Sequence, residues 1–123
     1  MKPTVYIETT IPSYLVARPS RLPRLEADQA TTQQWWNQHA GDFEMFVSDV
    51  VIREVRRGDA AMAEDRLAKV QSLPVLTLNE AAESLANLLL GKVIPAQAID
   101  DAAHIAVAAV NGMDFLLTWN CRH

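Results

Sequence analysis

The chain has 123 residues, half of them hydrophobic and about a fifth charged, with a formal net charge of −4. That length suits one domain and can bury a core without disulfides or structural metal, and the mixed composition excludes a disordered or fibrous protein. The negative balance excludes coating of nucleic acid by bulk attraction, so any contact with nucleic acid must come from a local basic patch.

Cys121 is the single cysteine, so neither an intrachain disulfide nor a CxxC pair can form, which fits a reducing, cytoplasmic setting. Glu8 and Pro12 interrupt the apolar N-terminal stretch and no small-residue cleavage site follows, so no signal peptide is expected. No apolar run approaches the roughly 20 residues of a membrane-spanning helix.

Taken in order, Thr4 to Ile7 is apolar on both parities and rich in β-branched and aromatic residues, which predicts a central parallel strand covered on both faces. Pro12 permits a helix to open there. Pro19 and Pro23 mark a break before a long helical stretch ending at Gly41. "FEMFVS" predicts the second strand, and Ser48 caps the helix "DVVIREVRRG", which Gly58 ends. Asp59 caps a further helix to about Leu73, "PVLTL" is a short third strand, and Asn79 caps "EAAESLANLLL", closed by Gly91. Pro95 opens "AQAIDDAAHIAVAAVNG", apolar nearly all round from Ala102 and hence expected between layers, and "DFLLTW" is the fourth strand. Strands alternating with helices predict a parallel α/β sandwich forming one domain over residues 1–123.

The four glycines all fall at predicted helix ends, and neither GxGxxG nor GxxxxGK[ST] occurs, which leaves no phosphate-cradling nucleotide loop. The acids are more informative. Ligands of parallel α/β sheets bind outside the carboxyl ends of the strands. Glu8 follows the first strand, Glu54 lies in the helix after the second, and Asn120 lies past the fourth. Asp101 stands early in the last helix; adjacent acids there point about 100° apart, so one of Asp100 and Asp101 should face inward. Taken alone, a glutamate at a strand end is more often a cap or ion-pair partner than a ligand. Three converging carboxylates, however, repel one another unless a cation neutralises them, and hard divalent ions with oxygen ligands are suited to phosphodiester hydrolysis.

"VYIETTIPSYL", "SDVVIREVRRG", "DDAAHIAVA" and "FLLTWNCRH", in this order and spacing, resemble the PIN-domain family, in particular its VapC-like branch, over nearly the whole chain. The resemblance implies a three-layer α/β/α fold and an Mg2+- or Mn2+-dependent ribonuclease, the toxin of a type II toxin–antitoxin module. It also implies a homodimer and a cognate antitoxin that blocks the site. By position, Glu8 matches the family's first acid and Thr9 the hydroxyl residue beside it. Glu54 matches the second acid, Asp101 the third and Asn120 the fourth, with Thr118 as the hydroxyl residue two positions earlier. Glu8 and Asn120 stand where Asp is commoner. The longer Glu8 shifts its carboxylate by roughly 1.5 Å, and neutral Asn120 leaves three formal charges, so one well-held cation is expected. The family continues into a fifth strand where this chain reaches His123, so a C-terminally shortened domain with four strands and an exposed fourth edge is expected.

Arg18, Arg21 and Arg24 behind the first motif, and Arg53, Arg56 and Arg57 around Glu54, are candidates for RNA phosphate or antitoxin contact, the ordinary alternative being a solvated helix face. Of Trp35 and Trp36, one is expected to bury and the other to tend outward, for core or dimer packing. His104, one turn after Asp101, is expected to be a hydrogen-bonded, mostly buried histidine, with a water or phosphate ligand as the sharper alternative. A zinc site of Cys121, His123 and His104 lacks the usual spacing. A PIN-like module that binds RNA or protein without turnover is the competing function. A receiver-like phosphoacceptor fails because "PVLTL" ends without an acid and no lysine follows Lys92.

Overall fold

The computed structural model describes residues 1–120; Cys121 and His123, two of the three residues of the zinc alternative, lie outside them. Among the described residues four strands, β1 (Thr4–Ile7), β2 (Glu44–Ser48), β3 (Val75–Leu76) and β4 (Phe115–Leu117), form one sheet in the order β3-β2-β1-β4 with every pair parallel. The alternating helices are α1 (Thr10–Val16), α2 (Pro23–Gln38), α3 (Asp49–Val55), α4 (Ala60–Val70), α5 (Glu80–Leu89) and α6 (Ile99–Val110). As its apolar composition requires, β1 is central and covered on both faces, with Val5, Tyr6 and Ile7 buried.

Strand order explains the layers. The chain steps from β1 to β2 to β3, then returns across the sheet to place β4 on the other side of β1. Right-handed crossovers put the connections of outward and return steps on opposite faces. α1 accordingly packs against α2 and α4, and α5 against α6, giving the expected α/β/α sandwich. Ala82, Ala86, Ala102, Ala106 and Val107, all small, bring α5 and α6 into the core beside β1. No helix among the described residues is long and apolar enough to cross a membrane.

All three predicted side-chain caps form. Ser48 accepts from the Val51 amide at 3.2 Å, Asp59 from Met62 at 3.0 Å and Asn79 from Ala82 at 2.9 Å. Several boundaries differ. α1 starts two residues before Pro12, whose missing N–H still falls in the unpartnered first turn. α2 stops at Gln38, and Gly41 lies in a separate 3₁₀ turn, Ala40–Asp42. α6 starts at Ile99 and not after Pro95, because Pro95 to Ala98 closes as a turn, the Ala98 amide donating to the Pro95 carbonyl at 2.9 Å.

Polar side chains shorten both edge strands. Beyond β3 the Leu78 amide turns to the Asp49 carboxylate, at 3.1 and 3.2 Å, instead of to a ladder. Beyond β4 the Trp119 amide goes to Thr10 Oγ1 at 2.9 Å. Trp35 and Trp36 do not divide between core and solvent as expected. Both are half-buried against the core, because Trp35 packs on Phe43, with ring centroids 5.7 Å apart, while Trp36 lies against Trp35 at 6.4 Å.

Candidate functional site

The order β3-β2-β1-β4 makes the junction of β1 and β4 the point where connections leave for opposite faces. A crevice opens at such a point outside the strand carboxyl ends. Here it is a small pocket of about 80 Å³ lined by Glu8, Asp101, His104, Thr118 and Asn120 and walled by Ile105 and Leu116. Four of the residues expected at the site, Glu8, Asp101, Thr118 and Asn120, are thus brought together. Glu54 stands beside them and opens onto an adjoining cleft shared with Asp100 and Asp101.

Glu8 is only 6% exposed. Its Oε1 accepts from the Thr10 amide at 3.0 Å, from Thr10 Oγ1 at 2.5 Å and from Thr118 Oγ1 at 2.7 Å. The longer Glu side chain thus folds back over the first turn of α1, whose cap position is Thr9, while reaching across to Thr118 just past β4. All three bonds fall on Oε1. Thr10, which sequence reasoning left without a role, is the hinge of this arrangement, since its hydroxyl both donates to Glu8 and accepts the Trp119 amide.

Glu54, in the last turn of α3, accepts from Thr9 Oγ1 at 2.5 Å and from His104 Nε2 at 2.6 Å, again on one oxygen, Oε1. Burial opposes ionisation of Glu54, but the hydrogen bonds from His104 and Thr9 outweigh it and hold the carboxyl down at about 2. Thr9 thus orients the second acid and not Glu8. Asp101 Oδ1 accepts from Asn120 Nδ2 at 2.6 Å, and Thr118 Oγ1 accepts the Asn120 amide at 2.9 Å. Of the adjacent acids Asp101 faces the pocket, whereas Asp100 pairs with Arg53 at 3.3 Å and Arg57 at 3.4 Å.

Those two arginines therefore stand at the rim of the cleft. Arg18, Arg21 and Arg24 are exposed on or beside the segment between α1 and α2, beyond the end of α1 that lies away from Glu8. They do not line the pocket. Arg56 is exposed next to Val75 and Asp49 and lines neither the pocket nor the adjoining cleft.

Beneath the acids, His104 is the hydrogen-bonded, buried histidine that the sequence leads one to expect, whereas Tyr6 had been given no site role. His104 is 2% exposed and hydrogen-bonded through both ring nitrogens, to Glu54 and, at 2.6 Å, to the Tyr6 hydroxyl. Burial pushes the Tyr6 phenol well above its ordinary range, so it remains a hydroxyl. The available signals were spacing: His104 stands three residues after Asp101, on the same helix face, and Tyr6 two residues before Glu8, on the same strand face.

One donor atom from each of Glu8, Glu54 and His104 lies within 4.8 Å of the others. With Asp101 alongside, the three carboxylates fit a hard divalent cation such as Mg2+ or Mn2+, since such ions are held by carboxylate oxygens. No protein-family model and no curated protein matches the chain in sequence.

Proposed function

We propose that this protein is a PIN-like, VapC-like endoribonuclease that hydrolyses RNA phosphodiester bonds with Mg2+ or Mn2+. The observation that carries the reading is the arrival of Glu8, Glu54 and Asp101 from β1, α3 and α6 at the switch-point crevice, a convergence that an ordinary α/β core does not need. Bound there, a divalent ion would neutralise a phosphate oxygen and acidify a water for in-line attack.

The chain's own residues have separable tasks. Glu8 and Asp101 are the principal ion holders, with Glu54 beside them and the Asn120 carbonyl as a neutral donor. Thr10 and Thr118 fix Glu8, and Thr9 fixes Glu54. Arg53 and Arg57, whose exposed pairs with Asp100 are weak enough to exchange, are placed to meet the flanking phosphates. Three formal charges favour one cation. A homodimer and an antitoxin that covers the crevice complete this reading as a toxin module.

The test is cleavage of RNA with Mg2+ or Mn2+, expected to vanish with EDTA and with Asp101→Asn. Activity that survives the substitution sinks the assignment. One observation favours a non-catalytic binding module instead: the Asn120 amide already satisfies Asp101 Oδ1 without a cation. Metal-independent RNA binding, with no cleavage at any Mn2+ concentration, selects that second reading.

A further inference from the structure

Beneath the acids runs a chain of polar contacts that begins at Ser48, the cap of α3, and passes through His104 in the pocket wall. Ser48 Oγ lies 2.7 Å from Tyr6 Oη, Tyr6 Oη lies 2.6 Å from His104 Nδ1, and His104 Nε2 lies 2.6 Å from Glu54 Oε1. Ser48 and Tyr6 are fully buried and His104 nearly so. Buried polar groups are costly unless every one is satisfied, and apolar side chains of similar shape fill such a volume at equal or better stability. The chain ties β1, the end of β2, α6 and α3 together, and it terminates on one oxygen of one acid.

Distance decides between two uses of His104. Two donor atoms that share a cation at about 2.1 Å each, at right angles, stand about 3 Å apart. At 2.6 Å, Nε2 and Oε1 are too close for that, and the second ring nitrogen is already engaged by Tyr6. The contact is a hydrogen bond and not two corners of a coordination shell. An ionised carboxylate only accepts, so Nε2 carries the proton.

We infer that His104 is a positioning residue for the cation site: its Nε2–H holds Glu54 Oε1, leaving Oε2 as the oxygen offered to the ion, while Tyr6, anchored on Ser48, fixes the imidazole ring. The inference rests on reading the acids as a cation site, and it assigns to the buried Ser48–Tyr6–His104 chain the task of orienting Glu54 before an ion arrives. Such outer partners are worth about 10- to 100-fold in metal affinity.

The experiment is Mn2+ titration of the intact chain, without RNA, followed by electron paramagnetic resonance of the free ion. Wild type, His104→Leu, His104→Gln and Tyr6→Phe are compared, with thermal melting to report folding. His104→Leu is expected to weaken Mn2+ binding about 10- to 100-fold. His104→Gln, whose amide can replace the Nε2 donor, is expected to restore most of that loss, and Tyr6→Phe to give a smaller weakening.

Wild-type affinity in folded His104→Leu overturns the inference, as does a His104→Gln protein as weak as His104→Leu, which would make packing and not donation the cause. If His104→Leu does not fold, Tyr6→Phe decides: unchanged affinity overturns the inference and weakened affinity supports it. Absence of Mn2+ binding by the wild type overturns the cation reading itself and this inference with it. Binding that ignores His104 and Tyr6 overturns this inference alone.

Discussion

The strand pair β1–β4 carries an acid and a threonine at each end, and the two ends behave differently. At the amino end, Asp114 Oδ2 accepts from the Thr4 amide at 2.8 Å and from Thr4 Oγ1 at 3.2 Å, while the Asp114 amide donates back to Thr4 Oγ1 at 2.9 Å. That pair is exposed, reciprocal and complete, and it simply fastens two strand starts together. At the carboxyl end, Thr118 donates to Glu8 in the same manner, but Glu8 is buried and Asp101, Glu54 and His104 crowd towards it. An acid–threonine pair is therefore structural when alone in water. It becomes a candidate site when topology adds further acids that water does not screen.

The comparison breaks most visibly in activity. Glu8→Gln keeps Oε1 as an acceptor for all three of its hydrogen bonds while removing the charge. It is expected to lower RNA cleavage in Mn2+ on the order of 100-fold or more, measured as initial rate, whereas Asp114→Asn should leave the rate within about two-fold. Equal effects at the two ends would erase the distinction drawn here. Asn120→Asp sharpens it from the opposite side. Removing the amide donor to Asp101 and adding a charge is expected to cost the metal-free protein about 1–3 kcal/mol, and to enlarge the rise in melting temperature on adding Mn2+.

Acid titration separates the ends further. The Glu54 carboxyl sits at about 2 in the fold against an ordinary 4.5, so its contribution to stability is present above the ordinary value and is lost as pH falls from there towards 2. Melting temperature is expected to fall through that window in the wild type and to fall less steeply in Glu54→Gln. An unchanged slope in the variant would place the acid sensitivity elsewhere. The smallest effect belongs to the amino end: Asp114→Asn is expected to cost less than about 1 kcal/mol in urea unfolding, with Mn2+ affinity unchanged.

Much of the fold was legible because its signals are local. Caps at Ser48, Asp59 and Asn79, the doubly apolar β1 and the alternation of strands and helices all depend on residues close in sequence. The errors fall where a distant side chain intervenes. β3 and β4 are shorter than their apolar runs because Asp49 and Thr10 take the amides of Leu78 and Trp119, two residues past the strand ends, and no local pattern announces either. Site residues followed the same division. Glu8, Asp101 and Asn120 were identifiable from their places at element ends, since ligands of a parallel sheet gather outside the strand carboxyl ends, while Thr118 was expected only from the family resemblance. Thr10 and Tyr6 were not assigned site roles, and the bond from His104 to Glu54 spans fifty positions.

Local sequence pattern was enough for a parallel α/β chain with its acids at one end of the sheet, because hydrophobic periodicity and capping act over a few residues and place strand ends to within a residue or two. Tertiary structure alone decided which oxygen of each acid is tied down and which inner residue holds it. Those bonds join β1 to β4 and α3 to α6, so they exist only once crossovers have brought remote segments within three ångströms.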